Sequence, residues 1–184
     1  EITVGVLCVG RIGRRVIDLL GPFRPNILAC DIDPLAREQA WPYVTWCDFD
    51  ELLSESDVVT IHVPLDSTTR GLFDRKCFHR MKTGAYLVNT ARGPIVDDQA
   101  LVDAIRQNHL AGAALDVFTS EPYDGPLRQM DNVVLTAHIG ASARKTRFDM
   151  ELAAAKDCIR VLRGEEAKSP VPCTIPALAQ SGNV

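Results

Sequence analysis

Apolar residues in this chain fall into short unbroken runs, separated by amphipathic stretches and by glycine or proline. Ile2 to Val9 is a run too short for a helix. It leads through Gly10 and Gly13 into a stretch ending at Leu20, whose apolar Val16, Ile17, Leu19 and Leu20 have helical spacing. This reads as strand, glycine turn, helix. Gly21-Pro22-Phe23-Arg24-Pro25 stops that helix, and Asn26 to Asp31 is a second apolar run that finishes on an acid. Tyr43 to Trp46 predicts a short third strand and Asp50 to Leu53 a helical turn, while Asp57 to Val63 closes on Pro64, which has no amide to give a ladder. The alternation continues with a helix around Asp74 to Met81, a strand at Ala85 to Asn89 and a helix at Asp98 to Gln107. Strands at Ala111 to Val117 and Val133 to Ala137 follow, then a long helix from Ser142 to Arg163.

Runs that are apolar at every position, not at alternate ones, imply strands buried on both faces. With helices between them, they predict an α/β fold, a doubly wound and mostly parallel sheet covered on both sides. Residues 168–184, with three prolines and no periodicity, read as a tail, which leaves 1–167 as the domain.

Composition narrows the class. The 184 residues are 46% hydrophobic and 24% charged with a net charge of −4, which is the make-up of a globular domain with no basic face left over for nucleic acid. No apolar run approaches the roughly 18 residues of a membrane span, and no charged-then-apolar leader opens the chain. The six cysteines, at 8, 30, 47, 77, 158 and 173, occur singly, without a C-x-x-C pair or histidines at metal spacing. They are expected to be reduced thiols of a cytoplasmic protein without a metal site.

In open parallel sheets ligands bind beyond the carboxyl ends of the strands, so the residues that follow each predicted strand are where chemistry is expected. Gly10 would let a phosphate approach the backbone, Gly13 would let helix and strand pack closely, and the free amides around Arg11 and Ile12 at the helix start favour an anion. Asp31, 18 residues after Gly13, stands where an acid accepts hydrogen bonds from both ribose hydroxyls and repels a 2′-phosphate. Together these predict a Rossmann-like site for NAD in preference to NADP. Arg92, just past a buried strand, offers a fork of donors to a carboxylate. Of four histidines, His79 and His109 read as solvated helix residues and His62 as a hydrogen-bonded core residue or a neighbour of the cofactor. His138 ends a strand and is followed by Ile139-Gly140, which exposes its ring for proton transfer. Glu121, in the preceding loop, could hold its tautomer and stabilise its charged form.

These residues resemble a known family. Thr3-Val4-Gly5-Val6-Leu7 into Gly10-Arg11-Ile12-Gly13, His62-Val63-Pro64-Leu65, Met81-Lys82-Thr83-Gly84-Ala85 and Asn89-Thr90-Ala91-Arg92-Gly93 are similar to motifs of the D-isomer-specific 2-hydroxyacid dehydrogenases. So are Val96-Asp97, Ala113 to Phe118 with Glu121-Pro122, and His138-Ile139-Gly140, which carries the likeness over residues 2 to about 164. The resemblance implies that Arg92 binds a substrate carboxylate and polarises the 2-oxo group beside it. It also implies that His138 is the acid and base, supported by Glu121, and that Asp116 holds the nicotinamide end. Val63, Pro64, Thr90, Ala91, Ile139 and Gly140 would line the cofactor cleft. It further implies a homodimer formed through the cofactor domain, and a substrate domain built from both chain ends whose upstream part has no counterpart here. Within the family, Asp116-Val117-Phe118 with Glu121-Pro122 looks most like phosphoglycerate dehydrogenases and glyoxylate or hydroxypyruvate reductases, acting on small 2-oxo or 2-hydroxy acids. An NAD(H)-sensing regulator similar to the C-terminal-binding co-repressors is the alternative. Cys8 stands where the family's first motif glycine is expected, so that turn must be made with a Cβ present.

Overall fold

The computed structural model describes residues 2–38 and 41–170. The chain divides into two compact units, Glu1–Gly140 and Ala141–Val184. In the first, the order is β1 (Thr3–Leu7), α1 (Arg11–Leu20), β2 (Asn26–Cys30), β3 (Val44–Trp46), α2 (Phe49–Glu55), β4 (Val58–Ile61), α3 (Arg75–Arg80), β5 (Ala85–Asn89), α4 (Asp98–Arg106), β6 (Leu110–Leu115) and β7 (Val133–Leu135). The seven strands form one sheet in the order β3-β2-β1-β4-β5-β6-β7, every adjacent pair parallel. The order reverses at β1 and β4, the crevice where doubly wound sheets take ligands.

The elements follow the expected pattern, with shorter strands. β1 ends at Leu7, two residues early, because Cys8 turns into the left-handed region at φ 72°. β4 ends at Ile61 and β6 at Leu115, which frees His62 and Asp116 to stand beyond the sheet edge. On one face Leu52, Leu53, Phe78, Leu101 and Ile105 of α2, α3 and α4 pack with Leu87 and Leu115 into the larger core. On the other, Ile17 of α1 packs with Val4, Val6, Ile27 and Ala29.

Helix starts differ in a way that bears on function. Asp48, Asp74 and Asp97 cap α2, α3 and α4, each accepting a backbone amide of the first turn. α1 begins on Gly10 with no side-chain cap and no acid in its first turn, so its amides and the positive end of its dipole stay available.

The second unit is led by α5 (Arg144–Leu162), none of whose residues is buried. Pairs four apart, Lys145 with Asp149 and Arg147 with Glu151, lie along it. Asp157 accepts the amides of Lys168 at 2.9 Å and Ser169 at 3.1 Å. Most of the expected tail, residues 171–184 with Cys173, lies outside the described residues.

Candidate active site and cofactor cleft

The glycine turn is tight because three segments meet in it. A Cβ at Gly13 would run into the carbonyl of Cys8, so only glycine lets α1 start this close to β1. At Gly10 a Cβ would meet only Cys8 Sγ, at 3.7 Å, an ordinary contact. Packing within the protein therefore does not require glycine at position 10. The turn borders a cleft of about 720 Å³ whose other walls are His62 to Leu65 and Thr90 to Arg92. Asp31 is fixed beneath the turn, its Oδ2 accepting the Val9 amide at 2.6 Å and its Oδ1 the Asp33 amide at 2.8 Å. Each carboxylate oxygen keeps a further lone-pair site for a ligand hydroxyl.

Across the cleft, the loop carrying Arg92 is held by a residue that reading the sequence did not single out. Asn89, 1% exposed, donates to the Arg92 carbonyl at 3.0 Å and accepts the Ala91 amide at 3.0 Å. A buried amide side chain at the last position of an apolar strand is the signal that could have revealed it. Gly93 lies against the backbone of Phe118 and Thr119, where a Cβ would collide, so this loop rests directly on the one that leads to Glu121. The Arg92 side chain is exposed, with Nη1 donating to the Ala91 carbonyl at 2.6 Å.

Glu121 and His138 meet as expected. His138 Nδ1 lies 2.9 Å from Glu121 Oε2 and 3.2 Å from Oε1, and Oε1 also accepts the Phe118 amide at 3.0 Å. Since a carboxylate only accepts, Nδ1 carries the proton of that bond, and Nε2 is the nitrogen left to a ligand. The histidine hydrogen bond, aided by the Phe118 amide, holds the Glu121 carboxyl below its ordinary value. His138 itself has φ 51°, a left-handed conformation uncommon for a side-chain-bearing residue.

Asp116 explains how that conformation is maintained. It is buried, and it accepts the Thr136 hydroxyl at 2.5 Å, the Ile139 amide at 2.9 Å and the Gly140 amide at 3.1 Å. Burial acts to raise its pKa, but these three donors and His138 outweigh it and hold the carboxyl below the usual range. The acid thus clamps the loop on both sides of His138. His62 lies just beyond β4 with Nε2 3.1 Å from Thr60 Oγ1, and burial lowers its pKa to about 4, which makes it a neutral wall of the cleft. His109 departs from expectation: it lies past the end of α4, half-buried, with Nε2 2.8 Å from the Phe78 carbonyl, because the turn before β6 folds it back.

A doubly wound parallel sheet with an uncapped glycine turn and an acid under that turn is the architecture of a dinucleotide-binding domain, and the Glu121–His138 pair lies on the same edge. Residues 1–140 match the sequence model of the D-isomer specific 2-hydroxyacid dehydrogenase NAD binding domain. A glyoxylate reductase of Thermofilum pendens is 43% identical over 171 residues, covering 89% of this chain and 49% of that protein. A D-3-phosphoglycerate dehydrogenase of Archaeoglobus fulgidus is 40% identical over 183 residues, covering 97% of this chain and 34% of that protein. The crystal structure of D-lactate dehydrogenase with NAD+ from Lactobacillus jensenii superimposes with a TM-score of 0.80 at 31% identity, covering 92% of this chain and 55% of that one. The chain belongs to the D-isomer-specific 2-hydroxyacid dehydrogenase family, as its NAD-binding domain. It spans about half the length, or less, of the curated relatives it matches. These relatives are enzymes, and they lend the regulator reading no support. No helix among the described residues is long and apolar enough to cross a membrane.

Proposed function

We propose that this chain is the cofactor half of an enzyme that interconverts a small 2-oxo acid and its D-2-hydroxy acid. The observation that carries the reading is the Glu121–His138 pair on a loop clamped by Asp116, with Arg92 on the neighbouring loop of the same edge. The residues fit NAD. Gly10 lacks a side chain where the protein itself leaves room for one, the α1 amides near Arg11 and Ile12 are uncapped, and Asp31 has acceptor capacity to spare. In this reading Val63 and Pro64 with Thr90, Ala91, Ile139 and Gly140 line the cofactor site, and Asp116 holds the nicotinamide end.

When bound, NADH supplies the hydride that reduces the carbonyl carbon. Arg92 binds the substrate carboxylate through paired donors and so orients the adjacent carbonyl. His138 delivers the Nε2 proton to the carbonyl oxygen, and Glu121, bonded to Nδ1, stabilises the charged imidazolium from which it comes. In the oxidative direction the neutral ring takes the hydroxyl proton back. Glyoxylate and related short acids are the substrates suggested by the named relatives. A homodimer through this domain is what the family resemblance implies, and the unpaired described cysteines suit the cytoplasm.

The test is a titration of the chain with NADH and NADPH, followed by a screen of the longer protein with NADH against small 2-oxo acids. NADH should bind more tightly than NADPH, and at least one acid should be reduced. His138→Asn should abolish that reduction with NADH affinity nearly unchanged, and retained turnover would remove His138 from the acid role.

A further inference from the structure

The cysteines that stand far apart in sequence do not stay apart in the fold. The strand order β3-β2-β1 brings Cys47, Cys30 and Cys8 side by side at the carboxyl edge of the sheet. Leu7 pairs in register with Cys30, and the next residue, Cys8, donates its amide to the Cys30 carbonyl at 2.8 Å. Adjacent strands lie about 4.8 Å apart and one residue rises about 3.3 Å, so the Cα atoms of such a pair are about 6 Å apart. Disulfides span Cα separations of about 4.4–6.8 Å. Both thiols are partly accessible, and Cys8 lines the cleft beside Gly10.

We propose that Cys8, in the wall of the cofactor cleft, and Cys30, on the neighbouring strand, form an oxidisable dithiol, closed to a disulfide by peroxide and shielded when NADH is bound. The inference rests on the reading of the cleft as the dinucleotide site. One sulfur attacks hydrogen peroxide, the O–O bond breaks, and a sulfenic acid and one water result. The second thiol then displaces hydroxide from the sulfenic sulfur: an S–S bond forms, the S–O bond breaks, and the thiol proton leaves with hydroxide as a second water. Two thiols lose two electrons and peroxide gains them.

Position ties this bond to binding. Cys8 immediately precedes Val9 and Cys30 immediately precedes Asp31, the two residues joined by the Val9 amide to Asp31 Oδ2 bond. A bridge between the sulfurs therefore pulls on the turn and on the acid together. Cys47 is excluded from the pair by its setting. It is buried, its Sγ contacts the Ala29 carbonyl at 3.7 Å, and burial pushes its pKa up to about 12. Burial also raises the pKa of Cys8 and Cys30, so closure is slow and depends on the neighbouring sulfur being at hand.

Trypsin separates the three thiols, since Glu1–Arg11 carries Cys8, Val16–Arg37 carries Cys30 and Glu38–Arg70 carries Cys47. The chain is treated with hydrogen peroxide with and without saturating NADH, blocked with N-ethylmaleimide and digested without reductant. The expected product joins Glu1–Arg11 to Val16–Arg37 and is suppressed by NADH. NADH affinity should fall about tenfold or more, the size expected when bonds to a charged group are lost, and dithiothreitol should restore it. Cys30→Ala should make the affinity indifferent to peroxide. A link between Val16–Arg37 and Glu38–Arg70, N-ethylmaleimide on both Cys8 and Cys30 after peroxide, or an equal rate of closure in a chain that the titration shows to be saturated with NADH would each overturn the proposal. A reduced chain that forms the bond but binds no NADH would leave the disulfide standing and sink the cofactor-site reading instead.

Discussion

Replacing Asp116 by alanine is the sharpest test of how the His138 loop is built. The carboxylate accepts three hydrogen bonds, from the Thr136 hydroxyl and the amides of Ile139 and Gly140, and a bond to a charged group is worth about 1.5–3 kcal/mol. The three are not additive, and the exposed donors regain water when the acceptor is lost. We therefore expect a cost of about 2–3 kcal/mol at pH 7, or roughly 6–10 °C in melting temperature for a unit of this size. Urea denaturation measures the cost, and amide exchange at Ile139 and Gly140, which should quicken, shows where it falls. The pH dependence has a definite sign. Because the folded carboxyl is held below its unfolded value, its contribution is complete above about pH 4 and is lost as pH falls through the folded pKa. The gap between the native chain and Asp116→Ala should therefore narrow on acidification. A cost below about 0.5 kcal/mol at pH 7, or a gap that widens in acid, would refute the clamp.

Gly93→Ala should destabilise the domain by about 1–3 kcal/mol and shift the Arg92 loop, because the new Cβ meets the Phe118 and Thr119 backbone and not a side chain that can move; a thermal melt within error of the parent would contradict this. Asp31→Ala should weaken NADH binding and narrow the preference over NADPH, read by paired titrations. An unchanged ratio of the two affinities would dissociate Asp31 from cofactor choice.

Local pattern alone determined most of the architecture. Unbroken apolar runs bounded by glycine and proline mark the strands, and a run buried on both faces can only belong to a covered parallel sheet. The residues just past those runs, Gly10, Asp31, Arg92, Asp116 and His138, therefore had to share one edge. Tertiary structure decided which of them touch. Glu121 and His138 are 17 residues apart, and nothing in their spacing requires two loops to meet. Their contact depends on Gly93 seating one loop on another and on Asp116 gathering three donors. The same holds for Asn89, whose role lies in two backbone bonds that no pattern encodes. The left-handed backbone at Cys8 and His138 is likewise fixed by neighbours, since few residues other than glycine adopt it and no sequence pattern marks where one will. Cys8 and Cys30 became a pair only because β2 lies beside β1. Periodicity reports which residues are buried, a property of each segment and its solvent. Proximity between segments is fixed by strand order and loop packing, which only the assembled chain supplies.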